Sequence, residues 1–263
     1  MKTLTSAIFA LLLISLVLPA AGQTRRPRPR KDPTGVRPSA PKEIGRTAVV
    51  LDETLSVLRT KPSLFAPAVQ RMRRGRQVRI LGVAEADGVR FYRVSAMPSS
   101  TGWVQADAVF GTFRPADERR LAEFVQAASG FDQAELAAAF FEIFPDSALN
   151  PPILLLFGDL LEDTAVKLSR DASNRLDRRK MAATAAPMHS YYLNFVSIDR
   201  YRRLGVTFLF NPSTRLFHYD GQSWKRIAAR FSTSPEAAEA KKRLMSLEEK
   251  MRSGRDKTSA AGN

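Results

Sequence analysis

Four patterns of apolar and polar positions follow one another along the chain. Ala7 to Leu18 is an apolar run broken only by Ser15, and Gln23 to Gly45 shows no apolar periodicity. Arg46 to Thr112 alternates with period 2, and from Ala116 the period becomes 3.6. Side chains alternate across a strand and recur every three to four residues on a helix face, so the last two stretches predict a β unit followed by helices.

In the alternating stretch, Thr47 to Leu51 predicts a first strand, and Val78, Ile80 and the run to Val83 predict another. Asp87-Gly88 is a two-residue hairpin turn, because both residue types accept positive φ, and Val89 to Val94 returns antiparallel. Gly102-Trp103-Val104 opens the last strand. About five short strands in a segment of this size imply a small barrel, since closure removes the edges that so little core cannot protect.

In the helical stretch, Leu121, Phe124, Val125 and Ala128 share one face, Gly130 ends the helix, and Asp132 with Glu135 predicts a capping box for the next. That helix presents Leu136, Phe140 and Ile143 and stops at Phe144-Pro145. Asn150 as cap and Pro151 in the first turn start a third, which carries Leu154, Gly158, Leu161, Ala165 and Leu168 toward Arg179. Gly205 to Phe210 and Arg215 to Tyr219 alternate around Asn211-Pro212-Ser213-Thr214, a hairpin inserted before a short helix at Trp224. Tyr191, Tyr192, Phe195 and Tyr201, close to Arg200, Arg202 and Arg203, are expected to pack a helix onto that hairpin.

The apolar run near the start follows Lys2 and precedes Pro19, Ala20, Ala21 and Gly22. This is the layout of a secretory signal peptide, and a run of about 12 residues falls short of the ~20 that a spanning helix needs. Cleavage is expected after Gly22. Residues 23 to 45, dense in Arg and Pro, predict a disordered, extended linker. The helical region is expected to span 113 to 250, with residues 251 to 263 as a disordered tail.

Composition is that of a globular protein: 263 residues, 44% hydrophobic and 25% charged, enough for one or two cored domains. Against 26 acidic residues stand 41 basic ones, a formal charge of +15. Residues 113 to 200 carry 10 basic and 13 acidic residues, whereas 201 to 263 carry 13 and 6. The positive excess therefore lies toward the ends, where contact with anionic polymers is expected. The chain has no cysteine and two histidines, His189 and His218. Disulfides, thiolate metal sites, a cysteine nucleophile and lipid anchoring at cysteine are excluded. Neither a metal nor a cofactor is expected. An exported chain of this kind is expected in the periplasm, the cell envelope or the medium.

Leu58-Arg59-Thr60-Lys61-Pro62-Ser63, then Val69, Gly75, Val78, Asp87-Gly88, Val94 and Gly102-Trp103-Val104, resemble the bacterial SH3 (SH3b) pattern in order and spacing. Two departures are Lys61, where many members have Gly, and Val89, where many have Trp. The segment FPDSALNPPILLLFGDLLEDTA and the later Phe231 to Ala240 resemble tetratricopeptide-type helical hairpins. The fold class expected is α+β: a small SH3-like β-barrel over 46 to 112, then a mainly helical, repeat-like domain with one inserted hairpin. The first resemblance implies a non-catalytic module that binds cell-wall peptide, peptidoglycan or an envelope protein in a shallow groove. Arg59, Phe65, Tyr92 and Trp103 are the candidate ligand contacts. Arg71, Arg73, Arg74 and Arg76, around the turn at Gly75, are the candidate polyanion contacts.

Catalytic patterns are missing. The histidines have no metal-ligand spacing, and neither a G-x-S-x-G elbow nor a phosphate-binding glycine loop occurs. Asp159, Glu162 and Asp163 are expected to form a solvated acidic edge, and His218 a satisfied structural residue. A wall hydrolase with an unfamiliar catalytic domain is the alternative. A nucleic-acid binder is a second one, disfavoured by export.

Overall fold

The alternation after Arg46 builds a sheet whose inward positions are aliphatic or aromatic. The computed structural model describes residues 41–96 and 100–260, with side chains as far as Arg252. The predicted signal peptide and most of the predicted linker lie outside the described residues. The described residues belong to one unit.

The sheet has seven strands: β1 (Thr47–Val50), β2 (Val57–Arg59), β3 (Ala68–Arg71), β4 (Gln77–Ala86), β5 (Val89–Ala96), β6 (Ser100–Gln105) and β7 (Val109–Phe110). Their order is β3-β2-β6-β5-β4-β1-β7, every pair antiparallel, and the sheet is curled. Three strands lie beyond the four that alternation placed: β2 and β7, too short to show a period, and β3, whose residues are mostly exposed. Ala48, Val50, Leu58, Met72, Val78, Ile80, Tyr92, Val94 and Val104 fill the concave side. Asp87 and Gly88 turn β4 into β5 with φ of 54° and 71°, the left-handed pair a two-residue hairpin needs. A Cβ on Gly102 would lie 2.7 Å from the Arg59 carbonyl oxygen and 2.8 Å from Leu58 Cγ, so only glycine lets β2 lie this close to β6.

The helical part comprises α1 (Ala116–Ala127), α2 (Gly130–Ile143), α3 (Asn150–Arg175), α4 (Arg178–Ala182), α5 (Met188–Leu193), α6 (Asp199–Arg202), the hairpin β8 (Phe208–Asn211) with β9 (Leu216–Tyr219), then α7 (Gln222–Arg230) and α8 (Glu236–Ala260). Its core also takes in Leu51 and Phe110 from the sheet region. Phe110 stacks on Phe124 at 6.3 Å. Asp117, fully buried at the start of α1, accepts the N–H of Gly111 at 3.0 Å and pairs with Arg114 at 2.9 Å and Arg120 at 3.2 Å. Side chains of α3 satisfy backbone donors of β9. Ser169 Oγ accepts the N–H of Phe217 at 2.7 Å, and Glu162 Oε2 that of Tyr219 at 2.9 Å.

Several local expectations are revised. The capping box does not form, because α2 starts at Gly130 and turns Asp132 and Glu135 toward Arg74 of the sheet, at 3.5 and 3.0 Å. Asn150 is buried inside the first turn of α3, and its amide donates to the carbonyls of Phe144 and Pro145 instead of capping. α3 ends at Arg175, short of Arg179, because Leu176 is extended and the Asp177 carboxylate caps α4. The end of the predicted linker is folded: Gly45 N–H donates to Ile80, and Glu43 pairs with Arg90 at 2.8 Å. α8 runs to Ala260, past the residue where the tail was expected to begin.

Candidate functional site

Strand parity decides which candidates face out. In β5 and β6, Tyr92, Val94 and Val104 point into the core, so Arg93 and Trp103 take the opposite face. Trp103 is paired with Arg93 on one side and with Arg59 on the other. A half-buried indole thus stands between two guanidinium side chains, in cross-strand positions about 5 Å apart at Cβ. Beyond Arg93 the row continues to Gly82, which adds no side chain.

The loop after β2 borders this row. Arg59 Nη1 donates to the Ala66 carbonyl at 2.7 Å. Ser63 Oγ and the N–H of Leu64 both donate to Asp87 Oδ2, at 2.7 and 2.8 Å, and tie the loop to the β4–β5 turn. Those bonds, the Ser63 one first, hold the Asp87 carboxyl below its ordinary pKa. Phe65 lies on this loop, 87% exposed.

Tyr92 does not belong to the site. It is 0% exposed, packs edge-on to Phe113 at 6.3 Å, and has the Arg114 guanidinium over its ring at 5.6 Å. Burial pushes the pKa of its hydroxyl up. The aromatic pair Phe91-Tyr92 suggests a platform, but parity sends Tyr92 into the core and makes Arg93 the outward residue. Sequence inspection passed over Arg93; its position next to an inward Tyr92 was the available signal.

The four arginines around Gly75 differ in their contacts. Arg74 donates from Nε to the Leu51 carbonyl at 3.2 Å and pairs with Glu135, so it joins sheet to helix. Arg71 donates to the carbonyls of Glu53 and Thr54 at 2.5 and 2.8 Å. Arg73 is exposed and Arg76 half-buried.

In the helical part, Glu162 is not a solvated edge. Its Oε1 lies 3.0 Å from His218 Nδ1 and 2.7 Å from Lys250 Nζ, while Oε2 holds Tyr219 N–H. Burial works against ionisation, but the bonds from His218, Lys250 and Tyr219 prevail and bring its pKa down to about 2. An ionised carboxylate only accepts, so His218 Nδ1 carries the hydrogen. His218 is 4% exposed, and His189 lies on the surface of α5. Asp159 pairs with Arg243 at 2.9 Å and Asp163 is exposed. Among the described residues, no cluster of three His, Asp or Glu side chains is placed to hold a metal, and no helix is long and apolar enough to cross a membrane. Compared with protein-family models, curated proteins and solved structures, the chain matches none of them.

Proposed function

We propose that this chain is a non-enzymatic, exported cell-envelope binding protein. Its curled sheet serves as an SH3b-like module that takes peptidoglycan stem peptide, and its helical part contacts envelope proteins. The observation that carries this reading is Trp103 between Arg59 and Arg93, beside a loop that presents Phe65 to solvent. An indole face offers apolar contact to an extended peptide, and the flanking guanidinium groups suit its carboxylates. Tyr92 takes no part.

Co-sedimentation of the chain from Gln23 onward with purified peptidoglycan tests it. Retention at moderate salt is expected, with Trp103→Ala and Arg93→Ala each weakening it about fivefold, an anchor worth roughly 1 kcal/mol. Both side chains leave the sheet core intact, so circular dichroism melts should barely move. Failure of the wild-type chain to sediment, or unaltered retention of both variants, overturns the reading.

A further inference from the structure

A second concave site lies on the helical part, away from the sheet's outer face. A groove of about 530 Å³ runs between α2, α3, the turn before β8 and α7, within the size range of ligand sites. Phe141, Leu154, Phe157 and Val206 line its apolar side.

Its polar groups are unevenly satisfied. The Arg226 guanidinium lies over the Phe141 ring at 5.6 Å and has no hydrogen bond or ion pair among the described residues. Burial, ahead of its neighbour Arg230, lowers its pKa, and the Asp146 carboxylate, which pairs with Arg230 at 3.5 Å, offsets this only in part. Ser223, 4% exposed, also lines the groove, with its N–H donated to the Tyr219 hydroxyl at 2.8 Å and its Oγ toward Gly158 of α3. Lys225 adds a third cation at the rim, its ammonium anchored on the Asp220 carbonyl at 2.9 Å. Of the Asp220 carboxylate, Oδ1 accepts the N–H of Gln222 at 3.1 Å.

These features select one ligand chemistry. Arg230 is paired with Asp146, which leaves Lys225 and Arg226 against the Asp220 carboxylate along the groove and calls for an anion. The apolar wall calls for aliphatic or aromatic groups beside that anion. A plain fatty acid meets both demands but brings no donor for the Asp220 carboxylate, and leaving that group without one in a covered site is costly. A peptide terminus supplies the carboxylate, the apolar side chains and the N–H donors together. We propose that this groove binds the C-terminal end of an extended peptide with apolar last residues, its free carboxylate on Arg226.

Fluorescence polarisation with a fluorescein-labelled hexapeptide ending in two leucines tests this on the full chain. Saturable binding is expected for the free acid, with the C-terminal amide at least about tenfold weaker and Arg226→Gln weakening the acid to a similar degree. Arg226→Gln removes no hydrogen bond or close ion pair, only the contact of its guanidinium with the Phe141 ring, so its melting curve should stay close to that of the wild type. Ala229→Trp, which fills the groove without altering charge, should also abolish binding. Absence of saturable binding by the acid, equal affinity for the amide, or displacement of the peptide by dodecanoate at lower concentration than by unlabelled peptide overturns the proposal. Peptidoglycan sedimentation should be unaffected by Arg226→Gln, which keeps this site separable from the sheet face.

Discussion

Ser63 and Asp87, far apart in sequence, are joined by a 2.7 Å bond from the serine hydroxyl to the aspartate Oδ2. The Pro62-Ser63 segment and the Asp87-Gly88 turn are thereby the two ends of one contact. It fixes the loop that presents Phe65. Ser63→Ala removes the donor to Asp87 and the acceptor of the Phe65 N–H at 3.2 Å, both at an exposed place, so global stability should fall by no more than about 1 kcal/mol. Hydrogen exchange at Leu64 and Phe65 should nevertheless quicken, and peptidoglycan retention should drop. Asp87→Asn keeps an acceptor and tolerates the left-handed φ of 54°, so it should disturb the loop less. Unchanged exchange in Ser63→Ala would show that the bond does not order the loop.

Acid should weaken the fold through Glu162. Its pKa falls from 4.5 to about 2 on folding. A carboxyl depressed in the folded state adds stability above its unfolded pKa and loses it as pH drops through the folded one, here between about 4.5 and 2. Asp117 and Asp220 run the other way, because burial raises their pKa values and their protonation favours the fold. Comparing wild type with Glu162→Gln isolates the first effect. Urea unfolding at pH 6 and pH 3 should show the wild type losing on the order of 2 kcal/mol more than the variant. Parallel pH profiles would refute the assignment.

The joint between sheet and helices should be sensitive to Asp117. Its carboxylate is fully buried and serves Gly111 N–H, Arg114 and Arg120 together, while the Arg120 guanidinium also covers Phe110 at 4.1 Å. Removing one member of a buried ionic cluster leaves the others unsatisfied, so Asp117→Ala should cost about 3 kcal/mol in chemical denaturation. The exposed Arg119–Glu123 pair, at 3.1 Å on the same helix, is the contrast. Glu123→Ala should cost less than about 0.5 kcal/mol, since water already screens that pair. Comparable losses in the two variants would mean that burial does not govern the joint.

Period and turn chemistry exposed the β4–β5 hairpin, the break at Pro145 and the β8–β9 hairpin, because each is decided by residues near one another in sequence, whereas Gly130, expected to end α1, opens α2 instead. Contacts across long separations were hidden. Asp132 and Glu135 have the spacing of a capping box, yet Arg74 competes for them from the sheet, and a partner that distant has no local signature. Glu162 and His218 each look ordinary alone; only the fold places them 3.0 Å apart. At the sheet face, the identity of the outward aromatic was legible from alternation once Tyr92 was recognised as core. The pairing of Trp103 with both Arg59 and Arg93 required the strand order, in which β2 lies beside β6 rather than beside its sequence neighbour β1.

Gly158 sets how closely α7 can approach α3. A Cβ there would lie 2.3 Å from Trp224 Nε1 and 2.5 Å from Ser223 Oγ, well inside contact distance, and the indole is buried too completely to swing aside. Gly158→Ala therefore pushes α7 outward. Overpacking of this severity costs about 3 kcal/mol, and the better helix propensity of alanine returns about 1 kcal/mol, for a net loss of about 2 kcal/mol. In the Trp103→Phe background, Trp224 is the sole tryptophan, so its emission should shift to the red as the helix lifts. Ser223 and Arg226 travel with α7, so affinity for the carboxylate-ended peptide should fall in the same variant. A Gly158→Ala protein as stable as the wild type, with unshifted emission, would show that α7 does not rest against the glycine.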